Sequence, residues 1–193
     1  MKEERLPRSF FSRPTLTVAR DLIGRRLVHI QEGEQLAGIV TECEAYVGEE
    51  DLACHARSGR TARNAVMYGR PGFAYVYFTY GMHWLFNVVT EPEDRPAAVL
   101  IRAVQPTAGR ETIALRRAGR PEKIWADGPG KLTVAFGIGQ QNNGQDLCSA
   151  DSLFFFTSGQ GADARPVTTT PRRGLNNVPE PWFSLPWRFV TNG

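Results

Sequence analysis

The chain has 193 residues, of which 41% are apolar. This is enough to form one sizeable hydrophobic core but too little for two separate domains, so a single domain over residues 1–193 is predicted. Its net charge of +3 and pI near 8.9 are only mildly basic and do not by themselves indicate a nucleic-acid binder. No apolar run approaches the roughly 18 residues of a membrane span, and the opening MKEERLPRSFFSRP lacks a signal-peptide core, which predicts a soluble cytoplasmic protein without membrane attachment.

The first third of the chain predicts a helix and then two paired strands. In SRPTLTVARDLIG, Ser12 suits an N-cap, Pro14 suits the first turn and Gly24 can end the helix. The next segments, RRLVHI and LAGIVTECEAYV, have the composition of strands. The short polar turn QEGEQ between them favours antiparallel pairing.

The remaining segments predict a mixture of strands and short helices. Short helical segments are expected around EEDLACHA and TARNAVMYG, and strands in PGFAYVYFTYGMHWLFNVV and AAVLIRAV. Helices are then expected in TAGRETIALRRAG and GKLTVAFGI, loops in GQQNNGQD and TSGQGADARP, and a buried strand in LFFF. Because strands outnumber crossover helices, we expect an α/β protein of the α+β type, with a mainly antiparallel sheet surrounded by helices.

The strand TECEAYV is unusually polar. Alternation places Glu42, Glu44 and Tyr46 on one face and the intervening residues on the other. A solvated strand face explains this pattern without any function. The proximity of Glu44 and Tyr46 makes the strand a candidate site.

Residues 52–90 contain no Asp or Glu but combine arginines with tyrosines. These residues are Arg57, Arg60, Arg63, Arg70, Tyr68, Tyr75, Tyr77 and Tyr80. Basic side chains interleaved with aromatic ones suit a phosphate backbone and exposed bases. A basic surface followed by aromatic core strands explains the same composition, and twenty arginines against three lysines indicate a general bias.

The segment DGPGKL is not a phosphate-binding P-loop. Trp125 and Leu132 stand where that motif needs a glycine and a hydroxyl side chain. Gly130 and Lys131 nevertheless fall at a predicted helix start, where backbone N–H groups and an ammonium can meet one phosphate.

The cysteines and histidines predict neither a disulfide framework nor a metal site. The three cysteines include no Cys-x-x-Cys pair, which favours reduced thiols. His55 directly follows Cys54, and no second histidine lies at ligand spacing. His29 and His83 fall in predicted strands and are interpreted as packing or surface residues.

The chain resembles the alkyladenine (3-methyladenine) DNA glycosylases of the methylpurine-DNA glycosylase family. The resemblance is carried by ECEAYVGEEDLACHARSGRTARN, YVYFTYGMHWLFNVV, VLIRA and DGPGKL, and fades through PRRGLN and PWRF. It implies a curved sheet with a protruding, DNA-inserting β-hairpin, in a monomer that needs no cofactor. The implied partner is double-stranded DNA containing a damaged purine.

The implied reaction is monofunctional hydrolysis of an N-glycosidic bond, after the purine has been flipped out of the duplex. The implied substrates are 3-methyladenine and 7-methylguanine, while hypoxanthine and etheno-adenine stay open. Glu44 matches the carboxylate that activates water against the anomeric carbon. Arg102 matches a residue near that water, although its strand context equally favours a buried ion pair.

The other matched positions surround the flipped base. Tyr46, His55 and Tyr77 match three rings that close on it, and such a cage favours cationic, alkylated purines. Asn87 matches the residue that crowds the exocyclic amino group of guanine. Tyr80 matches the wedge that fills the gap left by the base. With duplex DNA as the partner, Arg57, Arg60, Arg63, Gly130 and Lys131 become candidate contacts to the DNA backbone.

Two features depart from the family pattern. Arg173, in PRRGLN, stands at an apolar position, so packing there is expected to differ. The end PWRFVTNG is shorter than usual, and the missing tail is implied to contribute backbone near the catalytic water.

Strand cleavage would need an amine nucleophile, and no lysine lies between Glu44 and Tyr80.

Two other functions fit parts of the pattern. A catalytically silent DNA-binding module would use the arginines and Tyr80 but not Glu44. A glycosidase acting on free nucleosides or sugars would need Glu44 but neither the arginines nor a wedge. Release of an abasic site from a duplex with one lesion separates the three possibilities.

Overall fold

The computed structural model describes residues 4–158 and 166–191, which form a single α+β domain. The helices are α1 (Arg8–Phe11), α2 (Thr15–Leu22), α3 (Arg110–Arg116) and α4 (Pro129–Phe136). The strands are β1 (Arg26–Gln31), β2 (Glu34–Val47), β3 (Ala74–Thr79), β4 (His83–Val89), β5 (Ala97–Ala108), β6 (Phe154–Thr157), β7 (Val167–Thr170) and β8 (Arg188–Thr191). No helix in these two ranges is long and apolar enough to cross a membrane. The loop predicted over 157–166 lies mostly outside them.

All eight strands belong to one sheet, and every pairing between them is antiparallel. The main path runs β3-β4-β5-β2-β1-β6. Strand β2 pairs with β5 along one edge, while its other edge pairs first with β1 and then with β8. This division curls the sheet into a half-barrel, and the predicted curved, mainly antiparallel sheet is confirmed.

The two faces of the sheet are covered differently. The main core lies between the sheet and the helices; its largest fully buried side chains include Phe11, Phe86, Phe136, Phe154 and Phe156. A second, smaller cluster on the other face lies beneath the connection between β2 and β3 and contains Cys54, Ala56, Met67, Tyr68, Tyr75, Val89 and Ala98. The predicted short helical segments of this connection are 3₁₀ turns at His55–Ser58 and Ala65–Tyr68.

A paired bulge reverses the faces of β2 and β5 halfway along their contact. Thr41 is an extra residue on β2, and Arg102 is an extra residue on β5 at the next step of the ladder. Val40 enters the main core before the bulge, whereas Cys43 and Ala45 enter it afterwards. Glu42, Glu44 and Tyr46 therefore face away from the main core, on the side of the second cluster.

The N-terminus of α2 differs from the prediction. The helix begins at Thr15 with Pro14 as its N-cap residue, and Ser12 instead follows the short helix α1. The reason is long-range: Glu91 accepts hydrogen bonds from both the backbone N–H and the hydroxyl of Thr15, at 3.2 and 2.6 Å. A distant carboxylate thus replaces the local cap.

Strands β3 and β4 are joined by a tight turn that carries an exposed aromatic side chain. Tyr80 and Gly81 both have positive φ, and Met82 donates its N–H to the carbonyl of Thr79 at 3.2 Å. The ring of Tyr80 is 76% exposed. Its insertion into DNA stays a prediction.

We expect Phe86→Ala to lower the free energy of unfolding by roughly 3–5 kcal/mol, because it opens a cavity in the main core. Phe86 is fully buried, with its ring centroid 4.7 Å from that of Phe154. Urea denaturation measures the change. Leu115→Ala is the control, since Leu115 is 78% exposed, and a comparable loss in both variants would contradict the placement of the core.

Candidate active site

The strand register places two predicted site residues, Glu44 and Asn87, in one row across the sheet. Tyr75 pairs with Asn87, Asn87 with Leu100, and Leu100 with Glu44. Paired residues share a face, so these four side chains stand side by side on the face of the second cluster. Two residues further along β2 and β3, Tyr46 and Tyr77 extend the same face.

A cavity of about 440 Å³ opens on this face, within the range of small-molecule sites. Its lining includes eight of the predicted site residues, namely Tyr46, His55, Tyr77, Tyr80, Asn87, Arg102, Gly130 and Lys131. Glu44 is completely buried behind the lining, in contact with Tyr46 and Arg102. Arg57, Arg60 and Arg63 are exposed and are not among the lining residues.

Two hydrogen-bond donors and one cation hold the carboxylate of Glu44. The backbone N–H of Arg173 donates to Oε1 at 2.7 Å, and the hydroxyl of Tyr46 donates to Oε2 at 2.9 Å. The Nη1 of Arg102 lies 3.3 Å from Oε2. An ionised carboxylate has about four acceptor positions, so with two hydrogen bonds made it keeps capacity for about two more donors.

Burial raises the pKa of Glu44, and this effect exceeds the opposing influence of Arg102, the Arg173 N–H and Tyr46. Glu42 behaves in the opposite way. Burial also acts to raise the pKa of Glu42, but hydrogen bonds from Arg188 and Arg102, at 2.6 and 2.7 Å, lower it overall. Glu44 is thus the more basic of the two carboxylates.

Aromatic rings form the opposite wall of the cavity. The rings of His55 and Tyr77 meet edge to face with centroids 4.4 Å apart, and Nδ1 of His55 lies 2.9 Å from the hydroxyl of Tyr75. Burial, together with the nearby cations of Arg63 and Arg57, lowers the pKa of His55 to about 4. His55 is therefore neutral at physiological pH and adds no charge to the wall.

Asn87 is a fixed part of the same wall. Its side-chain Nδ2 donates to the carbonyl of Tyr75 at 3.1 Å, and the residue is only 4% exposed. The orientation of the amide is therefore set by β3 rather than by a ligand.

The start of α4 and the β3-β4 turn meet at the cavity. His83, interpreted as a packing or surface residue, lines the cavity. A Cβ at Gly130 would lie only 2.9 Å from the ring of His83, so glycine permits this close approach. Lys131 also reaches the lining, where its Nζ lies 2.9 Å from Asp127, although it is distant in sequence from the Glu44 to Tyr80 segment.

The predicted backbone-binding arginines are held near the cavity by the protein itself. Arg57 donates to the carbonyl of Leu52 at 2.9 Å. The guanidinium of Arg63 lies 5.3 Å from the centre of the Tyr77 ring, and that of Arg60 lies 5.5 Å from the Tyr68 ring. These contacts orient the arginines but do not test their role.

Sequence reasoning missed the part played by residues 171–174. Besides the N–H of Arg173 bound to Glu44, this segment contributes Arg173 and Gly174 to the cavity lining. The backbone donor at the carboxylate therefore comes from PRRGLN. The only local signal was Arg173 at an apolar family position.

Comparison with known proteins identifies the group to which this arrangement belongs. The family model for methylpurine-DNA glycosylase (MPG) matches residues 9–193. The chain belongs to the methylpurine-DNA glycosylase family. It is thus a DNA glycosylase, an enzyme of DNA repair, and the alternatives of a silent DNA-binding module and a free-nucleoside hydrolase are set aside.

Curated relatives cover almost the same length as this glycosylase. A protein of Methanocella arvoryzae is 46% identical over 185 residues, covering 95% of this chain and 90% of its own. Relatives from Carboxydothermus hydrogenoformans and Alkaliphilus oremlandii are 44% and 41% identical over 184 and 194 residues, covering 95% and 96% of this chain and 93% and 94% of their own. All three are provisionally named 3-methyladenine DNA glycosylases.

We expect the Glu44 carboxyl to titrate at a higher pH in Arg102→Gln than in the parent glycosylase. The Arg102 cation stabilises the carboxylate, so its removal raises a pKa that burial already holds above the usual value for a glutamate. The ¹³C chemical shift of the Glu44 carboxyl, followed by NMR against pH, measures the change. Arg110→Gln, which removes the exposed partner of Glu122, should leave the curve unmoved, and a downward shift in Arg102→Gln would contradict the assignment.

Proposed function

We propose that this enzyme excises 3-methyladenine and related methylated purines from duplex DNA, by hydrolysing the N-glycosidic bond of a nucleotide flipped into the cavity. The observation that carries the proposal is the completely buried Glu44 carboxylate, directly behind a cavity with aromatic walls. Hypoxanthine and etheno-adenine are not cationic, so each base must be protonated as it leaves. Excision of these two bases is therefore a harder test of the enzyme than excision of a methylated purine.

Glu44 is the proposed general base. Its raised pKa makes it a better proton acceptor than an ordinary glutamate, and its remaining acceptor capacity suits one water molecule. The same negative charge stabilises the positive charge that develops on the sugar as the bond breaks. Arg102, bound to both Glu42 and Glu44, holds the carboxylate in its ionised, catalytic form.

The rings of Tyr46, His55 and Tyr77 are proposed to hold the base. Their faces attract the positive charge of a purine alkylated at N3 or N7, and the neutral state of His55 avoids a repulsive charge. Asn87, fixed by the Tyr75 carbonyl, restricts space beside the base and disfavours guanine.

The remaining roles concern DNA. We assign the exposed ring of Tyr80 to the gap left by the flipped base, and Arg57, Arg60, Arg63, Gly130 and Lys131 to the phosphate backbone. We also expect the abasic strand to stay intact, because the Lys131 ammonium is engaged by Asp127. Borohydride trapping of a protein–DNA adduct would contradict that expectation.

Glu44→Gln should reduce single-turnover excision of a methylated purine by at least about 10²-fold while binding to the lesion duplex survives, because the amide keeps the shape but loses the base. Gel analysis of abasic-site formation measures the rate. The matched control is Glu42→Gln, on the same strand face, with a much smaller effect. Parental excision by Glu44→Gln would overturn the proposed function.

Tyr80→Ala should slow excision of well-paired lesions more than that of poorly paired ones, because the ring compensates for the stacking lost on flipping. Affinity for undamaged DNA should stay unchanged. Arg57→Ala should instead weaken binding to both DNAs and reduce the slope of log K against log salt by about 0.9 if it removes one phosphate contact. A Tyr80→Ala variant with an altered salt slope and equal losses on both lesions would exclude the wedge.

A further inference from the structure

Arg172 is a fully buried cation whose two Nη atoms both make hydrogen bonds, while its Nε has no hydrogen-bond partner among the described residues. Its side chain and that of Asp51 are both 0% exposed, and its two Nη atoms bind the two Asp51 oxygens at 2.6 and 2.9 Å. Nη1 also donates to the carbonyl of Ala45 at 3.0 Å, and Nη2 donates to that of Trp182 at 3.2 Å. Arg172 is not among the residues that line the cavity, so it is not placed to touch a base.

The guanidinium and Asp51 join several separate segments around the cavity. The guanidinium lies 4.7 Å from the ring centre of Tyr46 and 5.0 Å from that of Trp187. Asp51 accepts hydrogen bonds from the backbone N–H groups of Val47 and Ala53, at 3.2 and 3.0 Å. The pair therefore ties the end of β2, the connection that leads to His55, and the segment before β8.

The residue that follows Arg172 supplies the backbone donor of Glu44. The N–H of Arg173 belongs to the peptide unit that begins at Arg172, so a fixed Arg172 leaves this N–H little freedom. The same peptide N–H acts to lower the pKa of Glu44, together with Arg102 and Tyr46, against burial and the charge of Glu42.

We propose that the Asp51–Arg172 pair positions the catalytic carboxylate and its stacking ring, by fixing the Arg173 N–H against Glu44 and the guanidinium against Tyr46. Arg172 is a positioning residue rather than a catalytic one. The expected effect of the pair on the excision rate rests on the proposed function, whereas its expected effect on the pKa of Glu44 does not. Misplacement of a catalytic group by about 1 Å can cost about a hundredfold in rate.

Arg172→Lys tests the pair, because lysine keeps the charge but cannot bind both Asp51 oxygens and both carbonyls. We expect single-turnover excision of a methylated purine to fall about a hundredfold, with affinity for the lesion duplex unchanged. Since the Arg173 N–H donation lowers the pKa of Glu44, its loss should move the acid limb of the rate profile to higher pH. In a Glu44→Gln background the further loss should be much smaller than a hundredfold, because the part that acts through the carboxylate is already gone and only the part that acts through Tyr46 remains.

Asp51→Asn is the second variant, in case Arg172→Lys does not fold, and should shift the acid limb in the same direction. The matched control is Arg13→Lys, since Arg13 also binds a carboxylate, Asp21 at 2.7 Å, and a ring, that of Phe10 at 4.3 Å. It should leave rate and acid limb unchanged. Folded Arg172→Lys or Asp51→Asn with the parental rate and acid limb would overturn the inference, as would a full loss retained in the Glu44→Gln background.

NMR titration of the Glu44 carboxyl separates this inference from the proposed function. If the parent protein fails to excise methylated purines, the proposed function fails. The inference still requires Glu44 to titrate at a higher pH in Arg172→Lys than in the parent, and an unmoved curve would overturn it. If the parent is active and the curve does not move, only the inference fails.

Discussion

The paired bulge of β2 and β5 is the constraint on which the site depends. If Thr41 and Arg102 were paired regularly instead of bulged, strand alternation would continue from Val40 and direct Glu42, Glu44 and Tyr46 into the main core. Two carboxylates among phenylalanine rings would be desolvated without partners, at a large cost in free energy. With the bulge, Cys43 and Ala45 instead point into the main core, and the polar side chains lie on the face that carries the cavity.

The same bulge places a cation beside the two buried carboxylates and so offsets the cost of burying their charge. Arg102, the extra residue on β5, lies between Glu42 and Glu44 and contacts both. Glu42 also has Arg188, which lowers its pKa, whereas the only full cation within ion-pair distance of Glu44, among the described residues, is the shared Arg102. Two glutamates on one strand face thereby acquire different basicities, which is how neighbouring carboxylates are given different chemical roles.

The element types were largely predictable, because periodicity and turn residues are local properties. The hairpin of β1 and β2, the strands β3 to β5 and the buried β6 all follow from alternation and β-branched or aromatic content. The start of α2 was not predictable, because the N–H and hydroxyl of its first residue, Thr15, are bound by Glu91, far away in sequence. The end of β5 was also missed: it continues to Ala108, where a helix was expected, because it pairs with Ala37.

For the site, the candidate residues from Glu44 to Arg102 were predicted from the sequence, since the resemblance to the family lies in continuous stretches of the chain. Their convergence was decided only by the tertiary structure, through the strand register that aligns Tyr75, Asn87 and Glu44. The place of His83 in the cavity lining and the N–H of Arg173 at Glu44 were beyond sequence reasoning for the same reason. Residue type and spacing determine local conformation, whereas the contacts that build a cavity come from long-range pairing, which no local pattern records.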